Sequence, residues 1–178
     1  MKIIILFGAL FIGFIVWKYW ALLIGAGYDP TPMHRVKKML EIALTNENDI
    51  VYDLGSGDGR IIITAARSFG ARAVGIEADP FRFIFSWLNV IFTGQKKKIK
   101  VCFGDFFKFD LSEATVIILF LYGPTNDRLK SKLMRELKPG SRVVSYVWQF
   151  KDWIFDECLI NDDIFLYRIP EAVDNDTD

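Results

Sequence analysis

Between Ile50 and Phe103 short apolar runs alternate with stretches of helical spacing, and that alternation leaves few folds open to the chain. The runs are Ile50–Leu54, 71–76 and Ile99–Phe103, and residues 60–69 and Pro80–Phe92 carry the helical pattern between them. Strands and helices in turn build a parallel sheet with crossover helices on both faces. The pattern continues as a strand over 115–121, a helix over 125–137 and a strand over 142–148. Two last runs, 153–160 and 164–169, are separated only by Asn161, Asp162 and Asp163. That gap is too short for a crossover, so the pair must be antiparallel. The expected fold is α/β, a doubly wound, mostly parallel seven-stranded sheet of Rossmann-like type ending in an antiparallel hairpin.

Ahead of this unit, residues 3–17 carry no charge, and the apolar character resumes after Lys18 as far as Ile24. As a helix, that stretch extends roughly 33 Å, enough for a bilayer core of about 30 Å. Lys18 can reach the headgroups from near one end, beside the interfacial rings of Trp17, Tyr19 and Trp20. A cleaved signal peptide and a helix buried in the protein's own core fit less well. The expected organisation is a transmembrane anchor over 1–27, one domain over 28–170 and a disordered acidic tail over 171–178. Lys18, Arg35, Lys37 and Lys38 follow the span, while Lys2 and the amino terminus precede it. That bias predicts a single-pass membrane protein with its domain facing the cytoplasm.

Composition narrows the function. Lysine and arginine total 22, as do aspartate and glutamate, so no net field draws the chain to nucleic acid, which is not expected as a partner. Cys102 and Cys158 form no metal or redox spacing and read as buried thiols, and no metal site is expected. The one histidine, His34, has no partner pattern and reads as a surface residue. Thr31 and Pro32 read as an N-cap and first helical residue, opening a helix that reaches about Leu44. Arg35, Lys37 and Lys38 fall beside its apolar stripe, either as a solvated face or against anionic headgroups. Helix Pro80–Phe92 is apolar nearly all round and is followed by Lys96, Lys97, Lys98 and Lys100. Its own neighbours, a membrane surface or a membrane protein substrate are the candidates to cover it.

The strand Ile50–Leu54 runs into Asp53-Leu54-Gly55-Ser56-Gly57-Asp58-Gly59-Arg60. Its three glycines let the backbone turn sharply and approach a ligand, and the following helix presents its amino end to a carboxylate. The third glycine comes one position too early for a dinucleotide loop. Asp53 and Asp58 suit a cofactor bearing an ammonium and a sulfonium better than a pyrophosphate. S-adenosylmethionine (SAM) is therefore the expected cofactor. Glu77, at the end of the second strand, is placed to accept hydrogen bonds from both ribose hydroxyls. After the third strand, Asp105 and Phe106 supply an acid for the adenine amino group and a ring beside the base.

Five segments carry a family resemblance: DPTP at 29–32, VYDLGSGDGRIII at 51–63, VGIEADP at 74–80, GDFF at 104–107 and LKPGSRVVS at 137–145. They resemble the small archaeal protein lysine methyltransferases. They also resemble the membrane-anchored mitochondrial enzymes that methylate lysines in the ATP synthase c-subunit and the adenine nucleotide translocase. The resemblance covers nearly everything after Tyr28 and implies the class I methyltransferase fold. It further implies methyl transfer to lysine side chains of a protein, a membrane protein among the candidates, with the PTP segment closing over SAM and Thr31 among its contacts. After the fourth strand the chain has Phe120-Leu121-Tyr122-Gly123-Pro124, not the Asp/Asn-Pro-Pro-Tyr/Phe block of enzymes that methylate amide or adenine nitrogens. Tyr28, Tyr122 and Trp148 fall near the carboxyl ends of strands, where they can line an aromatic channel for a methylated ammonium. Two other readings stand beside this one: a lipid-headgroup or small-amine methyltransferase, and a SAM-binding protein without turnover.

Overall fold

The structure, a computed structural model, describes residues 29–171 and, ahead of them, Gly8 alone. Helix α1 (Met33–Ile42) leads into β1 (Ile50–Leu54), α2 (Arg60–Ser68), β2 (Arg72–Glu77), α3 (Pro80–Phe92) and β3 (Ile99–Phe103). The second half holds β4 (Val116–Leu119), α4 (Gly123–Glu136), β5 (Arg142–Tyr146), β6 (Glu157–Leu159) and β7 (Ile164–Arg168). The strands form one seven-stranded sheet in the order β3-β2-β1-β4-β5-β7-β6. Neighbours among the first five are parallel, and β7 is antiparallel to both β5 and β6. The expected doubly wound sheet with its terminal hairpin is therefore present.

Side-chain alternation along the strands divides the core in two. Val116 and Ile118 pack with Met39 and Leu40 of α1 and Ile62 and Ala65 of α2. Ile117 and Leu119 face the other way, onto Leu129 and Leu133 of α4 and the ring of Tyr167. At the amino ends of the strands, Arg142 bonds the Ala43 carbonyl at 2.8 Å and pairs with Asp49. Asp49 also accepts from Thr115 Oγ1 at 2.7 Å, so α1, β1, β4 and β5 are laced together at the end away from the glycine loop.

Several expectations change. Among the described residues no helix is long and apolar enough to cross a membrane, which overturns the expected single-pass placement with a cytoplasm-facing domain. The most apolar of the described helices, α3, has 13 residues. At that length it extends roughly 20 Å, short of a bilayer core of about 30 Å. The segment read as the anchor, Gly8 apart, and the tail 172–178 lie outside the described residues. Helix α1 is capped by Pro32 without a side-chain bond, so Thr31 does not act as its cap. Arg35 and Lys38 are neither simply solvated nor turned to headgroups: both pair with Asp162, Lys38 at 2.6 Å, and clasp the 3-10 turn between β6 and β7. The penultimate strand begins at Glu157 because Trp153 and Phe155 turn their rings onto Tyr167 instead of extending the sheet. Cys102 and Cys158 are free and half-buried. The outer face of α3 is open, with Phe85 55 % and Phe92 83 % exposed and only Ser86 and Val90 buried.

Candidate cofactor site

The site lies where β1 and β4 are neighbours and their chain continuations part to opposite sides of the sheet, the switch point at which ligands bind in such folds. Beyond β1 the backbone takes positive φ at Gly55, Gly57 and Gly59 and folds back on itself. The turn is pinned to β2, because the N–H groups of Gly55 and Ser56 both donate to the Ile76 carbonyl, at 2.9 and 3.1 Å. Gly59 caps α2 with no side-chain bond, which leaves the positive end of that helix turned to the loop.

Glu77 is buried, and its carboxylate is held edge-on by two backbone donors. Gly57 N–H donates to Oε2 at 2.8 Å and Asp79 N–H to Oε1 at 2.9 Å. Each oxygen keeps a lone pair for an incoming hydroxyl. Asp79 in turn caps α3, accepting from the N–H groups of Phe81 and Arg82. Asp53 is 3 % exposed. Burial, then the charges of Glu77 and Asp58, push its carboxyl well above the ordinary range, and no hydrogen bond offsets them. A buried acid in that state is a receptor for a cation. Asp58 behaves oppositely. Burial pushes it up, but hydrogen bonds from Arg60 outweigh that and hold it below the usual value. The same guanidinium donates to the Thr31 carbonyl at 2.8 Å, tying the segment ahead of α1 to the glycine loop.

These residues line a cavity. Thr31, Asp53, Gly55, Ser56, Gly57, Asp58, Glu77 and Phe106 of the sequence-predicted set are on its wall. Gly59 stands behind it, under the first turn of α2. Asp105 is exposed and off the wall. Its carboxylate accepts from Phe107 N–H at 3.0 Å and caps the 3-10 turn Phe106–Lys108, which presents Phe106. Tyr122 and Trp148 are also off the wall but beside it, paired edge to face at 6.0 Å and about half exposed. Tyr28 lies outside the described residues.

Arg82, Phe120, Leu121 and Thr125 also line the cavity and were missed. Arg82 has no sequence signal, since it reaches the site only through the fold of α3. The other three follow β4 as the glycine loop follows β1, and that position was the available clue. Among the described residues no group of acids, cysteines and histidines is gathered to hold a metal.

The donor set fits SAM: an uncompensated buried acid for the ammonium, the amino end of α2 for the carboxylate, a fixed carboxylate for the ribose and an aromatic ring beside the base. Comparison with known proteins agrees. Residues 53–157 match the family model described as the ANTKMT methyltransferase domain. A protein-lysine N-methyltransferase of Saccharolobus islandicus is 44% identical over 151 residues, 81% of this chain and 94% of that protein. The lysine N-methyltransferase of the ATP synthase c-subunit from Xenopus laevis is 32% identical over 72% of this chain, which spans 56% of the animal protein. Among solved structures, an RNA methyltransferase from Salinibacter ruber in complex with S-adenosyl-L-homocysteine superposes with a TM-score of 0.79. It is 42% identical, over 84% of this chain and 99% of that one.

Proposed function

Since the chain belongs to the ANTKMT methyltransferase domain family and is a SAM-dependent methyltransferase, we propose that its acceptor is a lysine side chain of a protein. The observation that carries this is the 44% identity, over 81% of this chain and 94% of the relative, to a protein-lysine N-methyltransferase.

The chain's residues divide the labour. Glu77 holds the ribose, ionised Asp53 the ammonium, the amino end of α2 the carboxylate, and Phe106 the base. When bound, SAM supplies an electrophilic methyl for in-line displacement, so aligning the acceptor nitrogen provides much of the acceleration. A free lysine has a pKa of about 10.4 and is almost wholly protonated at neutral pH. The acceptor site must therefore favour the neutral amine. Tyr122 and Trp148 supply an aromatic entry that strips water from the side chain, and the proton leaves to solvent through that half-exposed mouth.

A second reading has one specific support: the Salinibacter structure is described as an RNA methyltransferase. The balanced charge of this chain, 22 basic against 22 acidic residues, supports it poorly, because RNA binding draws on phosphate contacts. The deciding experiment incubates the enzyme with tritiated SAM and a total extract of the source cells, then separates protein, RNA and lipid. Label recovered as methyl-lysine after acid hydrolysis of the protein supports the proposal. Label confined to RNA or to lipid overturns it.

A further inference from the structure

Strand β5 ends in an unusual way. Trp148 N–H donates back to the Tyr146 carbonyl at 2.9 Å, closing a three-residue turn with Val147 at φ 69°. A β-branched residue with positive φ is a backbone outlier, and such turns persist only where the surroundings enforce them. Here the surroundings are identifiable. Val147 N–H donates to the Asp163 carbonyl at 2.7 Å. The Trp148 carbonyl accepts from Ser145 Oγ and from Asn126 Nδ2, the latter at 3.1 Å.

Asn126 is fully buried in the first turn of α4. Its Nδ2 also donates to Ser145 Oγ at 3.0 Å, so both amide hydrogens are used and the amide orientation is fixed: turned over, it would set oxygen against the Trp148 carbonyl. The backbone N–H of Asn126 donates to the Tyr122 carbonyl at 3.0 Å. One residue thus holds the main chain of both aromatic residues. Between them, a Cβ added to Gly123 would meet Trp148 Cε3 at 3.3 Å, so the two segments are already in close approach. Asn126 Oδ1 has no partner, a cost that a residue serving only to fill space would not carry.

We propose that Asn126 is the positioning residue of the acceptor entry: it clamps the Val147 turn so that Trp148 stands against Tyr122 beside the cofactor cavity. This rests on the reading of Tyr122 and Trp148 as that entry. Neither Asn126 nor Trp148 is on the cavity wall, so loss of the clamp acts on the acceptor and not on the cofactor.

The test uses the purified full chain and its variants N126A, W148A and N126A/V147G. SAM affinity is measured by calorimetry, and methyl-lysine formation is followed while total protein of the source cells is titrated as acceptor at saturating tritiated SAM. W148A and N126A each lower kcat/KM for the acceptor roughly tenfold to hundredfold, the range expected for misplacement, and leave the Kd for SAM within about twofold. Glycine adopts positive φ without strain, so V147G added to N126A recovers part of the loss. An unchanged acceptor kcat/KM in N126A beside a lowered one in W148A overturns the clamp and leaves the entry standing. An unaffected W148A overturns the entry itself, and the clamp with it. Weaker SAM binding in N126A, in step with lost activity, overturns the separation claimed here. If N126A does not fold, S145A, which removes one of the two donors to the Trp148 carbonyl, is judged on the same readouts.

Discussion

A methyl group placed on Gly59 would lie 2.5 Å from the Oγ of Ser86, so the glycine loop is packed directly against α3 at the point where it becomes α2. Gly59 also has φ 83°, a conformation that costs side-chain-bearing residues free energy. Gly59→Ala is therefore expected to lower stability by about 2 kcal/mol and to weaken SAM binding, read by chemical denaturation and calorimetry. Adding Ser86→Ala removes the clash but not the backbone strain and recovers only part of the loss.

Asp53 gives a pH signature. Its folded-state carboxyl sits well above the unfolded value because of burial and the charges of Glu77 and Asp58. The cofactor-free folded state therefore holds that proton more tightly than the unfolded chain. Stability contributed by the group falls as pH rises from the ordinary carboxylate range through the raised folded value, and the penalty is constant above it. Asp53→Asn removes the penalty, so the melting temperature of the cofactor-free protein rises at neutral pH while SAM affinity drops. Wild-type affinity weakens as pH is lowered through the raised value, and the variant loses that dependence. Equal affinities across pH would show that Asp53 does not receive the ammonium.

Glu77→Gln keeps the shape but replaces one acceptor oxygen with a donor facing a backbone N–H, either that of Gly57 or that of Asp79. A buried donor left unmatched costs about 1–3 kcal/mol. The expected result is SAM binding weakened roughly tenfold or more, with acceptor kcat/KM at saturating SAM much less affected. Calorimetry and initial rates separate the two.

At the opposite end of the strands, Arg142→Ala leaves buried Asp49 without its counter-charge, though still bonded by Thr115. Breaking one partner of such a pair costs about 3 kcal/mol. Denaturant unfolding should show that loss, while kcat of the protein that remains folded at low temperature stays near wild type.

Much of the architecture is legible in the sequence because strand and helix differ in period, and because three residues between the last two runs cannot form a crossover. Glu77 is legible for a similar reason, being the acid that ends β2 after an apolar run. Thr31 reads wrongly as a cap, because threonine before proline matches a helix start whether or not its hydroxyl reaches the helix. The turn at Val147 is invisible: valine continues a strand pattern, and the bonds that surround the turn, to the Asp163 carbonyl and from Asn126 and Ser145, come from side chains and loops that no local pattern marks. Arg60's bond to Thr31 links residues whose proximity no local pattern encodes. At the N-terminus, the hydropathy of residues 1–27 speaks for that segment alone.

Both halves of the sheet reach the cavity, but the ring pair stands on one side of it. Loops after β1, β2 and β3 supply Asp53, Glu77 and Phe106, whereas Tyr122 and Trp148 follow β4 and β5, across the switch point. The ring pair can therefore be rewritten by substitution while Asp53, Glu77 and Phe106 keep their geometry. Chimeras carrying residues 122–124 and 146–150 of a relative, which leave the cavity-lining Phe120, Leu121 and Thr125 in place, would change the acceptor accepted and spare the cofactor bound.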